Sequence, residues 1–124
     1  MMKLYGISNC DTVKKARSWL AEHGLEHEFH DFKKHGVPPD RLSAWIQVLG
    51  PDKLLNRQGT TWRKLDALTQ ASASNESGIL ILMLENPSII KRPVVQWDEN
   101  NAQLTVGFNP ASWSAIVSEL KLVT

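Results

Sequence analysis

The chain has 124 residues, with 14 Lys and Arg against 13 Asp and Glu for a formal charge of +1, and 42% of its residues are hydrophobic. That length suits one compact domain, the composition is that of a folded protein, and the near-zero charge supplies no long-range field for a nucleic-acid backbone. A single cysteine excludes an internal disulfide and any zinc site built on paired cysteines.

Lys3 to Ile7 reads as a short strand that runs into a turn at Ser8-Asn9. Val13, Ala16 and Leu20 then share one helical face over Thr12 to His23, with caps offered by Ser8, Asn9 and Asp11 and a C-terminal stop at Gly24. Glu26 to Phe32, carrying Phe29 and Phe32, completes a β-α-β unit. Pro38-Pro39-Asp40 opens a helix in which Leu42, Trp45, Ile46 and Leu49 keep the spacing of one apolar face, and Gly50-Pro51 ends it.

Shorter helical pieces are expected at Asp52 to Asn56, at Thr61 to Leu68 with Trp62, Leu65 and Leu68 turned inward, and around Glu76 to Glu85, closed by Pro87. From Pro93 the period becomes that of strands. Val94 to Trp97, a turn at Asp98-Glu99-Asn100-Asn101, and Gln103 to Phe108 form a hairpin. Asn109-Pro110 provides the cap and first-turn proline of a last helix with Trp113, Ile116, Val117 and Leu120 inward. The order is β-α-β, a helical segment, then β-β-α. It predicts an α/β domain over 1–124 with a four-stranded mixed sheet, similar to the thioredoxin-like fold and interrupted by a helical insert at approximately 38–88.

The longest apolar run, Ile79 to Leu84, is far below the roughly 20 residues of a membrane span. The opening Met1-Met2-Lys3-Leu4-Tyr5-Gly6 has no signal-peptide pattern, so a cytoplasmic location is expected, with neither membrane nor nucleic acid as partner.

Cys10 falls between a strand end and a helix start. Free backbone N–H groups and the helix dipole favour a thiolate there, and Lys14 adds positive charge one turn later. The alternative is a small packing residue, the commonest use of a free cysteine. His27 and His30 point to opposite faces of a strand, and Gly24 separates His23 from His27, so no metal site is expected. Trp19, Trp45, Trp62, Trp97 and Trp113 lie mostly on apolar faces and read as core.

Three motifs carry a family resemblance: Leu4-Tyr5-Gly6-Ile7-Ser8-Asn9-Cys10-Asp11-Thr12-Val13-Lys14-Lys15-Ala16, then Leu54-Leu55-Asn56-Arg57 with Gly59-Thr60-Thr61-Trp62-Arg63-Lys64-Leu65, and Ile89-Ile90-Lys91-Arg92-Pro93-Val94. In this order they resemble the arsenate reductase family, in its YffB-like branch, over essentially the whole chain. The resemblance implies a thioredoxin-like fold with a helical insert, a nucleophilic cysteine at Cys10, a cis proline at Pro93, and anion-site arginines at Arg57 and Arg92. Asn9 and Lys14, beside the cysteine, complete the expected substrate-binding set. An arginine fork suits such a role because it holds a carboxylate or oxyanion through paired charge-assisted hydrogen bonds.

One departure bears on the substrate. Arsenate-reducing members carry a further arginine near the start of the last helix, where this chain reads Gly107-Phe108-Asn109-Pro110. Loss of one charge-assisted contact costs a bound oxyanion about 1.5 to 3 kcal/mol.

The resemblance therefore favours a glutathione-dependent thiol-disulfide reductase. Its partners are glutathione, as co-substrate, and a small-molecule or protein mixed disulfide. Glutathione- and glutaredoxin-coupled arsenate reduction is the runner-up. A third reading is an Spx-like regulator that binds RNA polymerase without turnover. The Cys-x-x-Cys switch of such regulators is interrupted here by Val13.

Overall fold

The computed structural model describes residues 2–98 and 103–120. Their backbone divides into two compact units, one made by the residues up to Asp31 and from Arg92 onward, the other by Phe32–Lys91.

The first unit is built on four strands: β1 (Met2–Gly6), β2 (His27–Asp31), β3 (Val94–Gln96) and β4 (Leu104–Val106), in the order β2-β1-β3-β4. β1 runs parallel to β2, with Leu4 opposite Phe29, and antiparallel to β3, with Leu4 opposite Val95. β3 and β4 are antiparallel neighbours, as a hairpin requires, and the Trp97 N–H continues their pairing by donating to the Gln103 carbonyl at 3.1 Å. Of the expected turn, only Asp98 lies among the described residues. The sheet is mixed, as the element order predicts.

Helix α1 (Asp11–Glu22) buries Val13, Ala16 and Leu20, the three residues whose spacing marked its apolar face. The last helix of this unit, Pro110–Glu119, starts with Asn109 accepting from the Ser112 N–H at 3.0 Å and buries Trp113 and Val117. Met2, Leu4, Val95, Trp97 and Leu25 complete the shared core with these helix residues, and Cys10, Trp19 and Phe108 pack against its edge. Trp113 sits at the centre, with edge-on contacts to Trp97, Phe108 and Trp19. Gly6 lets β1 and α1 approach, since a Cβ there would stand 2.8 Å from Val13 Cγ2.

The second unit is helical. α2 (Phe32–His35) comes first, followed by α3 (Pro39–Leu49), α4 (Pro51–Leu54), α5 (Thr60–Lys64), α6 (Ala67–Ala71) and α7 (Glu76–Glu85). The Pro110–Glu119 helix is α8. α3 buries Leu42, Trp45 and Ile46, and it stops at Gly50, whose φ of 87° is left-handed. Two main-chain bonds tie the end of α4 to the segment before Arg92: the Asn56 N–H donates to Ile89 and the Lys91 N–H to Leu54, at 2.8 and 2.7 Å.

Two expectations need correction here. Phe32 does not end the second strand; it opens α2. Thr61 to Leu68 is not one helix with Leu68 inward. The Asp66 carboxylate accepts from the Thr69 N–H at 2.7 Å and starts α6 in a new register, which leaves Leu68 86% exposed. Of the five tryptophans, Trp45, Trp97 and Trp113 are buried, whereas Trp19 and Trp62 are only partly so.

Candidate active site

β1 ends at Gly6, and the chain turns through Ser8 and Asn9 to place Cys10 at the N-cap of α1. The Cys10 backbone is extended there. Its N–H donates to the Ile7 carbonyl at 3.2 Å, and its carbonyl accepts the first helical bond, from Lys14, at 3.0 Å. The sulfur therefore stands where the unpaired N–H groups of the first turn converge.

Burial pushes the half-buried Cys10 thiol up, but the Val13 N–H, a hydrogen bond from the Arg92 side chain, the Arg92 charge and the Thr12 N–H outweigh it. The net result is a thiol below its ordinary value.

Arg92 is brought to the sulfur by the chain reversal into β3. The Arg92-Pro93 peptide bond is cis, as the resemblance implies, and Pro93 is buried. The Pro93 carbonyl accepts from the Gly107 N–H at 2.8 Å, which ties this segment to the end of β4.

Cys10, Arg92 and Pro93 are thus joined in one unit. Asn9 is exposed in the turn before the cysteine, and Lys14 is exposed on α1, linked to Cys10 through the backbone; the cation acting on the sulfur is Arg92. Arg57 belongs to the helical unit. There its Nη1 lies 3.0 Å from the Asp52 carboxylate, and its guanidinium lies 5.8 Å from the Trp62 ring centre.

Three polar arrangements had no clear signal in the sequence. Tyr5 donates to Gln96 Oε1 at 2.6 Å, and both residues are buried in adjacent strands. Asp31 is buried at the end of β2. Arg17 donates to His27 Nε2 at 3.2 Å and covers the Phe29 ring at 4.2 Å, joining α1 to β2. Burial, then the Arg17 charge, holds His27 below its ordinary value. Among the described residues no group of His, Cys, Asp and Glu is placed to hold a metal ion, and no helix is long and apolar enough to cross a membrane.

A mixed sheet of this order, with a cysteine at the N-cap of the helix after its first strand and a cis proline before its third, defines an α/β protein of the thioredoxin-like class. The chain matches the ArsC family over residues 5–116 and belongs to that family. An uncharacterized protein of Haemophilus influenzae is 40% identical over 115 residues, covering 93% of this chain and 97% of the relative. The solved structure of the YFFB protein has a TM-score of 0.85 at 44% identity, covering 93% of this chain and 97% of that one. The global transcriptional regulator Spx of Streptococcus pyogenes is 24% identical over 120 residues, covering 95% of this chain and 86% of the regulator.

Proposed function

We propose that the protein is a glutathione-dependent thiol-disulfide reductase in which Cys10 is the sole nucleophile. The observation that carries this reading is the Cys10 sulfur at a helix N-cap, where the Val13 amide and then the Arg92 guanidinium lower the thiol, an arrangement that favours the attacking thiolate. Membership of the ArsC family supports an oxidoreductase. With one cysteine in the sequence, an external thiol must regenerate the enzyme. Glutathione suits that task, because its carboxylates match arginine forks and its thiol is abundant in the cytoplasm, where we place the protein.

Asn9 and Lys14, exposed beside the cysteine, are proposed to contact the incoming peptide. The assignment of Arg57 to anion binding rests on its motif. Arg57→Ala is expected to raise the glutathione KM several-fold with little change in unfolding temperature, since its exposed pair with Asp52 is worth about 0 to 1 kcal/mol.

The deciding experiment is turnover of a glutathione mixed disulfide by the wild type and by Cys10→Ser, with glutathione as reductant. Activity lost in the variant supports the reading; equal rates refute it. Arsenate reduction is expected to be weak, since Gly107, Phe108 and Asn109 place no cation after β4. A polymerase-binding role is favoured by the Spx similarity alone. Val13, at the position of a second switch cysteine, is buried in the core. Retained polymerase binding without disulfide turnover would restore that role.

A further inference from the structure

Next to Pro93 the sheet unit contains a groove of about 340 Å³, between the end of β4 and the start of α8. Its volume is within the range of small-molecule sites, which begins at about 300 Å³. Phe108, partly buried, supplies its aromatic surface and packs edge-on over the buried Trp113, with ring centres 4.8 Å apart and planes crossed at 77°. Thr105, Val106, Gly107, Asn109 and Ser112 complete the wall, and no ionisable side chain is among its described lining residues.

Three of the polar groups around the groove are engaged within the fold. Thr105 Oγ1 accepts from Trp97 Nε1 at 2.9 Å, the Asn109 side chain caps α8, and the Gly107 N–H is given to Pro93. A charged group entering here would lose water and gain no counter-ion, whereas an aromatic group would cover apolar surface. The groove lies in the same unit as the sulfur, and its Gly107 N–H is bonded to Pro93, the residue after Arg92. Cys10 and Phe108 pack against the same core.

We propose that this groove is a specificity subsite for the half of a mixed disulfide that is not glutathione, and that it selects an uncharged aromatic or bulky apolar group. The proposal rests on the thiol chemistry assigned to Cys10. In the first step the Cys10 thiolate attacks the glutathionyl sulfur, a Cys10–glutathione disulfide forms, the substrate S–S bond breaks, and the apolar thiol leaves as its thiolate and takes a proton. In the second step a glutathione thiolate attacks the glutathionyl sulfur of that adduct, releasing glutathione disulfide and the Cys10 thiolate. In net terms the mixed disulfide and one glutathione thiol give the apolar thiol and glutathione disulfide: the carried-in glutathionyl sulfur stays at the disulfide level throughout, and the added glutathione thiol is oxidised as the apolar thiol is reduced.

The test compares glutathione mixed disulfides of phenylethanethiol, mercaptoethanol and mercaptoethanesulfonate on the full chain. The aromatic disulfide is expected to exceed the sulfonate in kcat/KM by about tenfold or more, as discrimination by a single apolar pocket allows. Ser112→Phe, which fills the groove from an exposed helix position, is expected to bring the aromatic-to-hydroxyethyl ratio close to one. Equal rates for the three disulfides, or a preference that survives Ser112→Phe, overturn the subsite. A separate measurement titrates Cys10→Ser with phenylethanol and follows the backbone amide resonances of Gly107, Phe108 and Ser112. Saturable shifts confined to these residues support the groove, and their absence overturns it. If no disulfide is turned over, the reading of Cys10 as a reductase fails, and the phenylethanol titration decides the groove by itself.

Discussion

At the residue scale, the chemistry depends on how a thiolate is stabilised at Cys10. Two sources act on it, helix amides from Val13 and Thr12 and the guanidinium of Arg92. Only the second can be removed without altering the helix. Arg92→Gln deletes the charge and keeps a planar amide, so the thiol should rise toward its ordinary value. Thiolate absorbance against pH should then shift to higher pH, and alkylation by iodoacetamide near neutral pH should slow. Loss of one charge-assisted hydrogen bond is worth about 1.5 to 3 kcal/mol, or roughly one to two decades in kcat/KM. Arg92→Lys retains charge without the fork and should fall between wild type and Arg92→Gln. An unshifted thiol titration in Arg92→Gln would leave the helix amides as the whole cause. The cysteine's place at a strand-to-helix junction was legible from local pattern, because Val13, Ala16 and Leu20 mark where the helix must begin. That Arg92 reaches it was not. The two are 82 positions apart by number, and only the family motif pointed to the pairing.

At the scale of elements, the β1 to α1 junction is close-packed because Gly6 has no side chain. A Cβ at Gly6 meets Val13 Cγ2 at 2.8 Å, and Val13 is buried and β-branched, so it has little room to yield. Gly6→Ala is expected to destabilise the fold by about 1 to 3 kcal/mol, read by denaturant unfolding. A change below a few tenths would mean that the helix shifts freely.

The link between α1 and β2 carries a pH signature. His27 accepts from Arg17 and is held below its ordinary value by burial and then by that charge, so its neutral form belongs to the fold. Its contribution to stability is fully present above the unfolded imidazole value of about 6.5 and declines as pH falls from there through the lower folded value. His27→Gln should flatten that decline in thermal unfolding midpoints. Polar strand residues such as His27 hide their partners in a sequence, because alternation gives only the face. The same limit appears at Asp66: its capping role restarts a helix and exposes Leu68, and a continuous apolar spacing cannot show such a restart.

For the whole molecule, the four strands and the mixed character of the sheet were legible because periodicity changes from 3.6 to 2 at Pro93, whereas the order β2-β1-β3-β4 comes from the structure. The polar pair of Tyr5 and Gln96 was not legible, since it depends on the register of β1 against β3. One property follows from the sequence as a whole: Cys10, half-buried in the sheet unit, is the single cysteine of the chain. Oxidation therefore cannot close an internal disulfide, and any disulfide that Cys10 forms must be a mixed one with an external thiol. Incubation with glutathione disulfide is expected to add one glutathionyl group per chain by intact mass and none to Cys10→Ser. Excess reduced glutathione should then remove it, because attack on the adduct regenerates the same stabilised thiolate that Arg92 holds. If iodoacetamide alkylates the sulfur readily while glutathione disulfide leaves no adduct, the thiol is reactive but glutathione is not its partner. A persistent adduct that reduced glutathione cannot release would point instead to a redox-marked binding protein.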